Sequence, residues 1–406
     1  MDIWHIRGGR RLEGVSFVQG SKNASLPILA ASILAPLQCE LHNVPQLRDV
    51  DAALRILRHL GCRAEQRGNE VYIDSSSLSG CSIPHHLMEE MRSSVIFMGA
   101  LIARCGEARL SVPGGCQLGK RPIDLHLFAL RQLGAEIEEN GMEIQCFPSR
   151  LHGAEIFLPF PSVGATENTM LSACMAKGKT VIHGAAREPE ILALQDFLQT
   201  IGVHISGAGS DTIQIERGPM EKDVVSRIIP DRIVASTIAC AAAATGGDVE
   251  LRGIDPKQFS TVLHFLNRAG CDIINNNRSV RVRSEGRLRA IGEVVTEPYP
   301  GFPTDAQPVL MAALLKAEGR SLIRETIFEN RFRQVPELRR LGADISSSGQ
   351  LAEIWGVDRL HGAAMIVAGL SADGETVICD DGHITRGYEH FDMRLRSLGA
   401  DIYLEY

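Results

Sequence analysis

LRRLGADI (Leu338–Ile345) and LRSLGADI (Leu395–Ile402) are nearly the same eight residues, and four more copies of the phrase precede them. These read LRHLGCRA (Leu57–Ala64), LRQLGAEI (Leu130–Ile137), LQTIGVHI (Leu198–Ile205) and LNRAGCDI (Leu266–Ile273). In each, a leucine-rich stretch runs into a glycine and then into alternating apolar residues. That is the pattern of a helix closed by a left-handed turn and followed by a strand. The glycines Gly61, Gly134, Gly202, Gly270, Gly342 and Gly399 are spaced by 73, 68, 68, 72 and 57 residues. The spacing predicts six repeated units, the last one short.

Working outward from each glycine, a strand and a second helix precede the first. The second helices read KNASLPILAASILAP, RSSVIFMGALIARCG, TENTMLSACMAKG, RIVASTIACAAAATGG, DAQPVLMAALLKAEG and a weaker AAMIVAGLSADG. They are apolar on nearly every face, so they belong inside a ring of other elements. This predicts an α/β layer architecture with three units to a domain. Lys22, Arg92, Glu167, Arg232 and Asp305 stand where these apolar helices are expected to begin. Helix capping accounts for some of them. It does not account for three cations at N-termini, where the helix dipole disfavours positive charge; a bound anion would compensate.

At 406 residues and 44% apolar content the chain has enough material for two ordinary cores, in two or three domains. The longest weakly polar run, Ile233 to Thr245, is interrupted by Ser236 and Thr237 and is too short to cross a bilayer. No charged n-region with an apolar h-region opens the chain, so secretion is not expected. Ten cysteines without CxxC spacing point to free thiols in a reducing cytoplasm, with neither disulfides nor zinc. With 42 basic against 49 acidic residues, a net charge of -7, nucleic acid is disfavoured as a partner. A polyanionic substrate would need a local basic pocket.

The stretch PGGCQLGKRPIDLH (Pro113 to His126) carries the chemistry. Gly114 and Gly115 form a hinge, and Lys120 and Arg121 follow Cys116 closely. Neighbouring cations lower a thiol pKa, which makes Cys116 a usable acid or nucleophile near neutral pH. A buried structural role suits most of the other nine cysteines.

This loop resembles the mobile catalytic loop of the UDP-N-acetylglucosamine enolpyruvyl transferases. So do GSKNASLPILAASILAP (Gly20 to Pro36), MRSSVIFMGALIA (Met91 to Ala103), PSVGATEN (Pro161 to Asn168), AAREPEI (Ala185 to Ile191), PDRIVA (Pro230 to Ala235), GFPTDAQ (Gly301 to Gln307), ETIFENRF (Glu325 to Phe332) and RGYEHF (Arg386 to Phe391) resemble other segments of that family. Their consistent order makes the resemblance specific. It implies a two-domain inside-out α/β barrel of six helix/strand units, one domain formed by residues 21–229 and the other by 1–20 with 230–406. The substrates would lie in the cleft between them.

The resemblance also implies an activity: transfer of the enolpyruvyl group of phosphoenolpyruvate to the 3-hydroxyl of UDP-N-acetylglucosamine with release of phosphate, the first committed step of peptidoglycan precursor synthesis. This needs an acid, a base and strong anion binding, and no metal or other cofactor. Cys116 matches the proton donor, and Asp305, expected at a helix N-terminus, matches the carboxylate that accepts the hydroxyl proton. Lys22, Arg121 and Arg386 match the cations that grip phosphoenolpyruvate, since guanidinium forks suit carboxylate and phosphate oxygens. Arg92 and Asn23 match residues near the sugar. Arg121, Pro122, Ile123, Asp124 and Leu125 match the uracil segment. Ser162, Val163 and Gly164 open a helix suited to the diphosphate, and Ile327 matches a backbone contact to the sugar nucleotide. His126 suits an ordinary hydrogen-bonded role as well as it suits a ligand role. The expected state is a cytoplasmic monomer or weak homo-oligomer without membrane insertion. A UDP-sugar-binding paralogue with an impaired phosphoenolpyruvate site, and an enolpyruvyl transferase for another acceptor, are the alternatives.

The sixth unit departs from the pattern. Relatives have a strand and then a TDLR phrase opening the inner helix, whereas RLHGA (Arg359 to Ala363) runs directly into AAMIVAGLSADG. In one alignment RLHGA is the phrase before the strand, as in the identical RLHGA from Arg150 to Ala154. In the other, DRLHGAAMIVAGLSADG replaces the arginine-bearing helix, and Arg359 is a displaced substitute for the missing arginine. Counting favours the second: Arg232 to Gly246 spans fourteen residues and Arg359 to Gly374 fifteen. Thr385 also stands where the family's IDRGYE phrase has its aspartate.

Overall fold

The computed structural model describes residues 2–91, 93–111, 123–141, 143–147, 149–220, 223–361 and 365–405. The chain divides into two compact units, Met1–Gln19 with Pro230–Tyr406, and Gly20–Ile229.

The third repeat shows how one unit of the pattern is built. Strand Glu155–Phe157 leads to the inner helix Val163–Ala173, then to strand Thr180–His183, the outer helix Pro189–Thr200 and the hairpin His204–Ser206/Thr212–Glu216. The first two strands pair in parallel and the hairpin adds antiparallel strands. Between outer helix and hairpin the chain must reverse sharply, and this is the work of the repeat glycine. All six repeat glycines have φ between +91 and +104°, a conformation costly for any residue with a Cβ.

Five sheets have this four-stranded order. Two borrow their first strand from a distant part of the chain: Val224–Arg227 pairs in parallel with Gln38–His42, and Glu13–Phe17 with Asp248–Arg252. The inner helices are buried all round, as their composition predicts. In Val163–Ala173 every residue from Ala165 onward is buried, and in Arg232–Ala244 all but two are. Each unit is thus an inside-out α/β barrel, with helices at its centre and sheets around them. The helices Lys22–Ala31, Ile96–Cys105 and Val163–Ala173 fill one unit; Arg232–Ala244, Gln307–Leu314 and Ile366–Ser371 fill the other.

The sixth sheet has three strands, in the order Glu375–Asp380, Asp2–Arg7, Asp401–Glu405. Its parallel first strand is missing among the described residues. The two RLHGA phrases are placed alike: the His152 amide donates to the Leu133 carbonyl at 3.0 Å, and the His361 amide to the Leu341 carbonyl at 2.9 Å. Leu151 and Leu360 are both buried, and Arg150 and Arg359 are both exposed. This overturns the alignment favoured by counting. RLHGA at 359 is seated like the phrase before the strand; among the described residues no strand follows it, and the inner helix begins at Ile366. Arg359 lies in an exposed connection and heads no helix, unlike the helix-start position the second alignment gave it.

Candidate active site

In the Gly20–Ile229 unit the chemistry-bearing residues gather at inner-helix N-termini. Ser21 caps the first helix by accepting from the Ala24 amide at 3.2 Å, which places Lys22 and Asn23 in its first turn. The cation at this dipole-positive end is offset by the buried Asp49 carboxylate, 3.5 Å from Lys22 Nζ. Ser162 caps the helix Val163–Ala173 through the Ala165 amide. Glu167, expected at the start of that helix, lies in its second turn. Burial, then the Glu190 and Glu188 charges, push its carboxyl well above the usual range. Ile123 precedes the helix Asp124–Gln132, whose first two residues are Asp124 and Leu125. Arg92, Cys116, Arg121 and Pro122 lie outside the described residues.

Val163 and Gly164 form the first turn of their helix against His126. A Cβ on Gly164 would come within 2.8 Å of the His126 ring, so only glycine permits the approach. The Asn168 amide donates to His126 Nδ1 at 2.7 Å, which puts the ring proton on Nε2. Burial pushes the His126 pKa down to about 4, only partly opposed by Asp124, so the ring is neutral at pH 7. Asn168 also donates to the Val95 carbonyl at 3.1 Å and accepts from the Gly99 amide at 2.7 Å, tying two inner helices together.

In the other unit Asp231 caps the helix Arg232–Ala244 by accepting from the Ile233 and Val234 amides at 2.8 and 3.1 Å. Arg232 stacks over the Tyr299 ring. A cap carboxylate and an aromatic face therefore accommodate this cation. Asp305 sits in the turn Thr304–Ala306 that leads into the helix Gln307–Leu314, and pairs with Arg331 at 2.9 Å. Ile327 follows the strand Arg320–Arg324, and its amide donates to Glu325 at 2.9 Å.

Arg386 lies on a loop held from several sides. Asp380 accepts from the His383 and Ile384 amides at 3.0 and 2.9 Å. Gln19 donates to the Gly387 carbonyl at 3.3 Å and accepts from the Glu389 amide at 2.9 Å. Tyr388 shares a hydrogen bond with Thr237 at 2.9 Å, and burial pushes its phenol up to about 12. At the position of the family aspartate, the Thr385 hydroxyl donates to the buried Asp2 carboxylate at 3.2 Å.

The structure thus brings Asp305 and Ile327 together around Arg331 and Glu325, and sets Lys22 beside Asp49. Of these partners, Arg331 and Glu325 fall inside ETIFENRF, where only Ile327 was singled out. The missed signal was a glutamate directly after a strand, two and three residues before the amides it accepts from.

The nine described cysteines are free thiols. Burial pushes the Cys39 and Cys146 thiols up to about 12, out of the range of a neutral-pH acid. No helix among the described residues is long and apolar enough to cross a membrane.

The model of the EPSP synthase (3-phosphoshikimate 1-carboxyvinyltransferase) family matches residues 6–395. A relative from Caldanaerobacter subterraneus subsp. tengcongensis named UDP-N-acetylglucosamine 1-carboxyvinyltransferase 2 is 46% identical over 99% of both chains. UDP-N-acetylglucosamine 1-carboxyvinyltransferase 1 from Symbiobacterium thermophilum is 47% identical over 98% of this chain and 94% of its own. The enolpyruvyl transferase NikO from Streptomyces tendae, at 24% identity, shares the fold with a TM-score of 0.88 over 99% of this chain and 98% of its own. The repeat architecture and these matches agree: the chain belongs to the EPSP synthase (3-phosphoshikimate 1-carboxyvinyltransferase) family.

Proposed function

We propose that this chain transfers the enolpyruvyl group of phosphoenolpyruvate to the 3-hydroxyl of UDP-N-acetylglucosamine, releasing phosphate, as the first committed step of peptidoglycan precursor synthesis in the cytoplasm. The observation that carries the reading is 46–47% identity, over nearly the whole chain, to relatives named for that reaction. In this reading Cys116 gives its proton to C3 of phosphoenolpyruvate while the sugar oxygen attacks C2 and passes its own proton to Asp305. Loss of a C3 proton and cleavage of the C2–O bond then restore the double bond and free phosphate. Lys22, Arg121 and Arg386 hold the phosphoenolpyruvate anion. Asn23, Arg92, residues 121–125, the turn from Ser162 to Gly164 and the Ile327 backbone hold the nucleotide sugar. The chemistry requires no cofactor, and the chain acts as a monomer or weak homo-oligomer.

A second reading, UDP-sugar binding without transfer, draws on the contracted sixth repeat, which has lost an arginine on the phosphoenolpyruvate side. Phosphate release measured with both substrates, with each alone, and with shikimate 3-phosphate as acceptor separates the readings. Release requiring phosphoenolpyruvate and the UDP-sugar supports transfer; UDP-sugar binding with no release supports the second reading. Release with shikimate 3-phosphate as the only working acceptor would assign another acceptor. Cys116 is tested by Cys116→Ser, expected to lose turnover because a hydroxyl is a far weaker acid. A three-carbon epoxide phosphonate of the fosfomycin type should alkylate Cys116 alone among the ten cysteines. Label spread over several cysteines in the mass spectrum would remove Cys116 from the role.

A further inference from the structure

Glu325 is fully buried, at 0% exposure, directly after the strand Arg320–Arg324. A buried carboxylate is costly unless hydrogen bonds compensate its charge, so its partners show what holds it there. Its Oε1 accepts from the Ile327 amide at 2.9 Å and the Phe328 amide at 3.1 Å. The Thr304 hydroxyl lies 3.1 and 3.0 Å from its two oxygens. The Glu325 amide is itself fixed to the Gln350 carbonyl at 2.8 Å, so the carboxylate projects from an anchored backbone. On the other side of Thr304, Arg331 donates to the Thr304 carbonyl at 3.2 Å and to Asp305 at 2.9 Å. One carboxylate therefore touches both the turn that carries Asp305 and the loop that carries Ile327.

We propose that Glu325 is a positioning residue for the transfer: through Thr304 it fixes the Asp305 turn, and through two amides it fixes the Ile327 loop, so that the base and the sugar-nucleotide contact keep one relative geometry. The proposal rests on the function proposed above. Its mechanism is precise placement. Displacing a reacting group by about 1 Å can cost about a hundredfold in rate.

Thr304→Val keeps the side-chain shape, removes the hydroxyl and leaves both Glu325–amide bonds in place. It should lower kcat about ten- to a hundredfold with the UDP-sugar KM nearly unchanged. Glu325→Ala should lower kcat and also raise the UDP-sugar KM, because both arms are released. Glu325→Gln should recover most of the activity, since its amide oxygen still accepts from both amides and its nitrogen donates to the Thr304 oxygen. If Glu325→Ala fails to fold, the Thr304→Val and Glu325→Gln variants decide. Wild-type kcat in Thr304→Val overturns the proposal, as does an activity loss in the Glu325 variants that only tracks the folded fraction in a thermal melt. Asp305→Asn separates the two levels. If it is inactive while Thr304→Val is normal, only the positioning role falls; if it turns over normally, the reading of the site falls and takes the proposal with it.

Discussion

The third and sixth repeats contain the same five residues, RLHGA, and seat them with the same amide bond, yet they continue differently. The third runs into strand Glu155–Phe157 and an eleven-residue inner helix; the sixth reaches a six-residue helix with no strand between among the described residues. The sixth repeat makes its short helix suffice by close packing. A Cβ on Gly369 would meet Ile6 Cδ1 at 3.1 Å, and every residue from Ile366 to Ser371 is buried. The third repeat instead locks a full helix with a buried polar cluster of His126 and Asn168. A short phrase therefore fixes the turn after the repeat glycine, while the next strand and helix depend on what the rest of the unit packs against them.

The largest expected effect falls on the third repeat's lock. The folded pKa of His126, about 4, lies below its ordinary value of 6.5. The unfolded chain therefore binds the proton first as pH falls. The stability of the neutral ring is fully present above pH 6.5 and is lost as pH drops through about 4. The loss over that window is about 3 kcal/mol. Denaturant titrations across it should show this acid sensitivity in the wild type and a flatter profile in His126→Gln. An unchanged slope in the variant would show that His126 does not report the third repeat's packing.

The next effect tests the sixth repeat. Its Arg386 loop is clamped by Asp380, Gln19, Tyr388 and the Thr385–Asp2 bond, beside the contracted repeat. Arg386→Ala should raise the phosphoenolpyruvate KM about ten- to a hundredfold, matching the ~1.5–3 kcal/mol of a charge-assisted hydrogen bond, with UDP-sugar binding nearly unchanged. An unaltered phosphoenolpyruvate KM would mean that the contraction has removed the loop from the site.

Reading the chain alone recovers the repeat number, the positive-φ glycines, the buried inner helices and the contraction itself, because each has a strictly local signature. It fails on which piece is missing. A helix start one residue out of phase mimics the count, and the amide bond of His361 with the burial of Leu360 shows that this RLHGA is seated like the one at Arg150. The site divides in the same way. Asp305 and Ile327 sit in quotable motifs, whereas the role of Glu325 depends on Thr304, twenty-one residues away in sequence, folding onto it. The offset of Lys22 by Asp49 and the capping by Asp231 likewise show that cations at helix starts need not report a ligand.

The smallest expected effect is none. Arg359→Ala, like Arg150→Ala at the matching exposed position, should change stability by less than about 0.5 kcal/mol and leave the phosphoenolpyruvate KM where it was. A tenfold rise in that KM for Arg359→Ala alone would restore the substitute arginine and break the equivalence of the two phrases.

The most direct measurement is the mass of the nucleotide product after incubation with phosphoenolpyruvate and UDP-N-acetylglucosamine. The account predicts a UDP-sugar heavier by one enolpyruvyl group, formed together with free phosphate, in the wild type and not in Asp305→Asn. Recovery of unmodified UDP-N-acetylglucosamine from the wild-type reaction, with the sugar nucleotide bound but unconverted, would contradict it.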